Sequence, residues 1–302
     1  MVLLSGGTGG AKLARGMLDV VGAAALTVVA NTADDVEFYG AHVSPDPDLV
    51  AYWLADLIDE RGWGLRGDTW KEMEALAAGG EEPWFKLGDR DMELCRLRAE
   101  ALRRGERLTL AHAEVCRAIG LEARVLPMAD EPIRTHVRTQ GRWVPFQEFM
   151  VRLEAATPIE GVDLHGIEHA RATPEVTAAL GSADVIVIGP SNPVISIGPI
   201  LAVPGMTEAI LSARAPVVAV SPFVGGHAVR GPTDPFCRQA GIALGPGGIA
   251  QAYAAMIDAL VSDEPLEGAR VPVEVADTLM DSASARRRVA KTTLRVAELV
   301  ST

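Results

Sequence analysis

The pattern of apolar residues predicts an α/β fold, a Rossmann-like, doubly wound and mainly parallel sheet with a largely helical insertion. Three observations predict it. Short all-apolar runs of the buried-strand kind recur as Val2-Leu3-Leu4, Leu26-Thr27-Val28-Val29-Ala30, Asp184-Val185-Ile186-Val187-Ile188 and Ala215-Pro216-Val217-Val218-Ala219-Val220. Each ends in a loop rich in glycine or small polar residues. Between the first and last thirds, from about residue 62 to 150, the period becomes mainly helical. The 302 residues, 48% hydrophobic, are enough for one α/β domain covering 1–302, with the stretch of about 62–150 read as an inserted helical cap carrying a short hairpin.

The first turn, Ser5-Gly6-Gly7-Thr8-Gly9-Gly10-Ala11-Lys12, follows a strand and opens a helix. It reads as a phosphate cradle. Glycines at 6, 7, 9 and 10 let backbone N–H groups approach an anion, and the helix N-terminus adds partial positive charge. Lys12 follows as a point charge for phosphate. The loop is neither a nucleoside-triphosphate P-loop, which ends Gly-Lys-Ser/Thr, nor the dinucleotide fingerprint, whose third glycine would fall at Lys12.

After a helical face of Leu13, Leu18 and Val21 comes the second strand and then Asn31-Thr32-Ala33-Asp34-Asp35. Parallel strands bring this acidic segment beside the glycine loop. Two carboxylates next to a phosphate site call for a cation, as does a chain of formal net charge −12 that binds polyphosphate. The same charge disfavours a nucleic-acid or anionic-membrane partner.

Next, Ser44-Pro45-Asp46-Pro47-Asp48 precedes a helix through Val50, Trp53, Leu54, Leu57 and Ile58, with Asp48 read either as its cap or as a ligand residue. Within the helical middle, Pro83-Trp84-Phe85-Lys86-Leu87-Gly88-Asp89-Arg90-Asp91 pairs two aromatics with charge, which fits either a planar ligand or the cap's own core. Arg134, His136 and Arg138 alternate as on a solvated strand, and Gln140-Gly141 reads as the turn of a hairpin. The third strand ends in Gly189-Pro190-Ser191-Asn192-Pro193 and Ser196, a second ligand loop with room and hydrogen bonds for a base or sugar edge. Gly245-Pro246-Gly247-Gly248 precedes a helix read through Ala252, Met256 and Leu260. A short run 271–275, the segment Asp277-Thr278-Leu279-Met280 and a helix from about Ser282 to Val300 complete the chain, Arg286-Arg287-Arg288 lying on its solvated face.

Three scattered cysteines, Cys95, Cys116 and Cys237, imply no disulfide framework or zinc ribbon and a reducing, cytoplasmic setting. No basic leader and no run of about 18–20 apolar residues is found, so neither export nor a membrane anchor is expected.

Assembled in order, these motifs, with Lys86-Leu-Gly-Asp-Arg-Asp91, Leu126-Pro-Met-Ala-Asp130 and Ser196-Ile-Gly-Pro199, resemble the 2-phospho-L-lactate transferase family (CofD/FbiA) of coenzyme F-420 biosynthesis. The resemblance runs end to end. It implies transfer of a phospho-three-carbon-acid group, 2-phospho-L-lactyl or phosphoenolpyruvyl, from a GDP-linked donor to the deazaflavin Fo, giving F-420-0 or its dehydro form and GMP. It also implies Mg²⁺ and a homodimer. By motif, Asp48 and Lys86 match deazaflavin-contacting positions, joined by Trp84 and Phe85. Gly6, Gly7, Thr8, Gly9, Gly10, Lys12, Ser191, Asn192 and Ser196 would hold the GDP moiety, and Asp34 and Asp35 the metal. Asp48, Asp35 and Lys12 are then the candidate catalytic groups. Pro47 stands where the family pattern leads one to expect an apolar residue such as Leu. A nucleotide-sugar-binding regulator of related fold would show a Gly- and Ser-rich loop after the acidic pair, where this chain has Val36-Glu37-Phe38-Tyr39. A sugar nucleotidyltransferase would need a basic triphosphate signature, and only Lys12 and Arg15 are available.

Overall fold

A computed structural model describes residues 1–229 and 231–301. Among them, seven strands form one sheet in the spatial order Val273–Val275, Ala259–Ser262, Val217–Val220, Ile186–Ile188, Val2–Ser5, Thr27–Ala30 and Arg124–Pro127. Every pairing is parallel. The sheet is buried on both faces, which is why its strands are apolar at consecutive positions. Leu4, Val29, Ile188 and Ala219 enter one core layer. Leu3, Val28, Val187 and Val218 enter the other. The second layer is closed by helices Gly7–Val21, Pro45–Leu54 and Ala283–Val300.

From Val2–Ser5 the chain winds outward through Thr27–Ala30 to Arg124–Pro127, then returns to lay Ile186–Ile188 on the other side of the first strand. Strand order reverses there. The helices and loops leaving the two neighbouring strands diverge at that point and open a crevice at the strands' carboxyl ends, the place where such sheets bind ligands.

Several boundaries differ from the sequence reading. The stretch 62–150 is not one insertion, because Arg124–Pro127 pairs with Thr27–Ala30 as an edge strand of the main sheet. Leu260 does not continue a helix: the helix ends at Ala252, and Ala259–Ser262 is a fully buried strand. The spacing of Ala252, Met256 and Leu260 mimics a helical face across a helix end and the strand after it. Leu57 and Ile58 lie beyond the helix Pro45–Leu54. Gly161–His165, unforeseen, adds a third antiparallel strand to the predicted hairpin of Arg134–Thr139 and Arg142–Pro145. That hairpin turns through Gln140 and Gly141, both at positive φ, as a two-residue turn matching strand twist requires. Arg286 is not simply solvated; its guanidinium sits 5.1 Å from the centre of the Trp53 ring.

The helical middle is fastened by exchanged caps. Asp68 accepts from the N–H groups of Arg90 and Asp91 at the start of helix Asp89–Arg103, and Asp89 accepts from those of Lys71 and Glu72 at the start of helix Lys71–Ala78. The buried stripe of Asp89–Arg103 is Met92, Cys95, Arg98 and Ala101, at helical spacing, so an arginine occupies a core position.

Candidate functional site: a cleft at the reversal of strand order

Helix Gly7–Val21 begins on Gly6, which is extended and carries no side chain to cap the first turn. Two neighbours take up the first amides. Ser191 Oγ accepts from Gly6 N–H at 3.4 Å, and Asp46 Oδ1 accepts from Gly7 N–H at 2.7 Å. Thr8 and Gly9 follow in the first turn of the helix, where backbone N–H groups have no carbonyl a turn behind them within the helix. The loop must be glycine at two points for reasons of space. A Cβ on Gly6 would meet Ser196 and Asp46, and one on Gly9 would strike the carbonyl of Pro190. The glycine loop and the 189–196 loop are thus in van der Waals contact.

Asn31 ties the acidic segment in. Its N–H donates to Ser5 O at 3.1 Å, and its Nδ2 donates to Asp46 Oδ2 at 3.0 Å and to Ile195 O at 3.3 Å. Asn192 turns its own Oδ1 onto the N–H groups of Val194 and Ile195, and its buried Nδ2 is without a partner among the described residues.

These loops enclose a cleft of about 290 Å³. Of the residues expected at the GDP moiety, Gly6, Gly7, Thr8, Gly9, Lys12, Ser191, Asn192 and Ser196 line it together, while Gly10 lies behind it against Ser5 and Ser191. Asp34 lines it too, and so does Asp46, which sequence reasoning passed over. Phe146, Met150, Ile195 and Val224 supply apolar wall.

The two carboxylates share a hostile environment. Burial, then the charge of Asp46, pushes the Asp34 carboxyl well above its ordinary range, and its Oδ1 has no hydrogen-bond partner among the described residues. Burial raises Asp46 to about 6 against the hydrogen bonds from Asn31 and Gly7, with the Asp35 charge adding to the rise. Like charges held together out of water fit a site that a hard cation completes through oxygen ligands.

Asp35 turns elsewhere. Its two oxygens are 2.7 Å from the Ser44 hydroxyl, which donates to it, and 3.0 Å from His42 Nε2, and it lines a separate cavity of about 190 Å³. Among the described residues the second carboxylate lining the cleft is therefore Asp46, not Asp35. Asp48 also leaves the cleft, to meet Arg98 in a bidentate pair of 2.7 and 2.6 Å beneath the helical cap. Ligand atoms of Asp48, Asp91 and Cys95 lie within 4.8 Å of one another, a set that could hold a metal. Arg98 already supplies the countercharge there, and Tyr52 donates to Asp91 at 2.7 Å.

Residues 1–295 match the model of the family described as 2-phospho-L-lactate transferase CofD. The chain belongs to the CofD family. It is 41% identical to a phosphoenolpyruvate transferase of Kitasatospora aureofaciens, covering 99% of this chain and 98% of that one. It is 38% identical to a 2-phospho-L-lactate transferase of Methanosarcina acetivorans, covering 96% and 97%. A solved UPF0052-family protein of Bacillus halodurans shares the fold, with TM-score 0.64 at 18% identity over 97% of this chain and 98% of that one.

In this CofD chain the aromatic segment of the cap is not part of the cleft's lining. Phe85 stacks on Phe38 at 4.7 Å between ring centres, and Trp84 meets Phe38 edge-on at 5.0 Å, while Lys86 is exposed. Both aromatics pack on Phe38 and are half-buried. No helix of the described residues is long and apolar enough to cross a membrane.

Proposed function

We propose that this chain transfers a phospho-three-carbon-acid group, 2-phospho-L-lactyl or phosphoenolpyruvyl, from its GDP-linked donor to the deazaflavin Fo, releasing GMP. The observation that carries the reading is that the glycine cradle, the Ser191/Asn192/Ser196 loop and two buried carboxylates line one cleft at the reversal of strand order. The names of the two relatives support the choice of transferred group.

Phosphoryl transfer asks for positioning and charge neutralisation more than for covalent chemistry. The N–H groups of Thr8 and Gly9, with the Asn192 amide, would hold diphosphate oxygens, and Lys12 would offset charge on the departing GMP. Asp34 and Asp46 are the residues that would hold Mg²⁺. When bound, the ion supplies neutralisation of the diphosphate's charge in a site that is otherwise acidic. The acceptor hydroxyl attacks the phosphorus bearing the acid as the bond to the bridging oxygen breaks; that oxygen leaves with the electron pair as a phosphate oxygen of GMP, and the hydroxyl proton passes to GMP or to water. Phe146, Met150 and Ile195 offer the acceptor's flat ring system an apolar wall. Asp48, with both oxygens on Arg98, supports this site from behind instead of contacting the acceptor.

The test is product formation. With Fo, Mg²⁺ and each GDP-linked donor in turn, the account expects equal amounts of GMP and F-420-0, or its dehydro form, with one of the two donors. No product with either donor, from protein that is folded, would overturn it.

A further inference from the structure

Arg98 is fully buried on the inner face of helix Asp89–Arg103, and it grips two points of one short segment. Its Nη1 and Nη2 donate to Asp48 Oδ1 and Oδ2 at 2.7 and 2.6 Å. Its Nε and Nη2 donate to the carbonyl of His42 at 3.1 and 2.8 Å. The segment between those anchors, 42–48, supplies both side-chain hydrogen bonds described for the Asp35 carboxylate and presents Asp46 to the cleft. His42 Nε2 and Ser44 Oγ hold Asp35, and Asp46 holds Gly7 N–H and Asn31 Nδ2. A guanidinium suits this position because its planar fork meets a carboxylate and still has donors for a carbonyl, which an ammonium lacks.

We infer that Arg98 is a positioning residue of the cleft, setting the place of Asp46 relative to the glycine loop through segment 42–48 although it touches neither substrate nor metal. The inference rests on reading the cleft as a Mg²⁺–nucleotide site. The geometry runs from the helical cap through Arg98 to His42 and Asp48, from there to Asp46, and from Asp46 to the Gly7 amide of the cradle. Loss of the clamp therefore loosens the carboxylate that faces the cleft while leaving the apolar walls as they are. A supporting residue one layer behind a cation's ligand is worth roughly 10–100-fold in cation affinity.

A purely structural role is separated by the pair of variants. Arg98→Met strands Asp48, whereas Arg98→Met combined with Asp48→Leu removes both charges and restores an apolar core. Calorimetric titration of Mg²⁺ and GDP into wild type, Arg98→Lys and the double variant is the test, with thermal unfolding run alongside. The expected result is a double variant that unfolds near the wild-type temperature yet binds Mg²⁺ with GDP roughly 10–100-fold more weakly. Arg98→Lys should fall between them, since it keeps the charge and loses the fork. A folded double variant with wild-type affinity overturns the inference and leaves the reading of the cleft intact. Failure of wild type itself to bind Mg²⁺ with GDP overturns both.

Discussion

Asp46 and Asp48 stand two residues apart at the start of one helix and belong to different regions of the molecule. Asp46 lines the cleft, where it shares a buried site with Asp34 and is held half-protonated near pH 6 by burial. Asp48 lies under the cap, where Arg98 meets both its oxygens and His112, Cys95 and Asp91 crowd around it. Among the described residues, the cleft keeps buried polar atoms without hydrogen-bond partners, among them Asp34 Oδ1 and Asn192 Nδ2. Under the cap, Asp48, Asp91 and Arg98 all have theirs. The difference teaches what each region is for. A satisfied network holds a shape, whereas unsatisfied groups walling a cavity fit the proposed site, where a ligand would complete them.

The largest effect should come from breaking the satisfied region. Asp48→Ala leaves the Arg98 charge buried and alone, and should cost about 3–5 kcal/mol of stability in chemical denaturation. Asp34→Asn should do the reverse: it removes a buried like charge, so stability of the ligand-free protein should hold or rise. Asp46→Asn also removes a like charge but turns an amide donor on Gly7 N–H or Asn31 Nδ2, so it should lose about 1–3 kcal/mol, less than Asp48→Ala. In both, kcat/KM should fall roughly 10²–10³-fold, the scale for losing a preorganised charge-stabilising group. Equal stability losses for Asp46→Asn and Asp48→Ala would erase the distinction between the regions.

A smaller effect follows from pH. Burial, then the charge of Arg98, lowers the His112 imidazole to about 4, so the folded protein keeps it neutral where the unfolded chain protonates it. Its contribution is present in full above about pH 6.5 and is lost as pH falls toward 4, to a total of about 3 kcal/mol. Asp91 and Asp46, both raised to about 6, act in the opposite sense: their contribution is greatest below about pH 4 and is lost as pH rises through 6. The difference between wild type and His112→Gln, measured by unfolding at pH 4.5 and 7, isolates the imidazole. That difference should shrink at the lower pH.

Much of the cleft was legible in the sequence because its parts sit at the ends of all-apolar strands, where glycine and small polar residues have no packing role to explain them. The glycine cradle, Asp34 and the Ser191-Asn192 loop were found this way. The choice between Asp46 and Asp48 was not legible. Both lie in one proline-stiffened turn, and two positions apart on a helix they point to different sides, so only the packing of the helix decides which faces the cleft. Arg98 was hidden for a related reason. In the charged run 89–103 an arginine reads as solvated, and its place on the stripe with Met92 and Cys95 emerges only once the helix has a neighbour. Trp84 and Phe85 left two readings open, a planar ligand or the cap's own core, since their partner Phe38 comes from a short hairpin strand whose pairing only the fold reveals.

The most direct measurement of the central claim is a fluorescence titration of Fo into the wild-type protein, with and without GDP and Mg²⁺, repeated on Asp46→Asn. The account predicts saturable binding of Fo that tightens when GDP and Mg²⁺ are both present, and a loss of that tightening in the variant. Fo binding that ignores GDP and Mg²⁺ in the wild type, or tightens equally in Asp46→Asn, would contradict a shared cleft organised by its buried carboxylates.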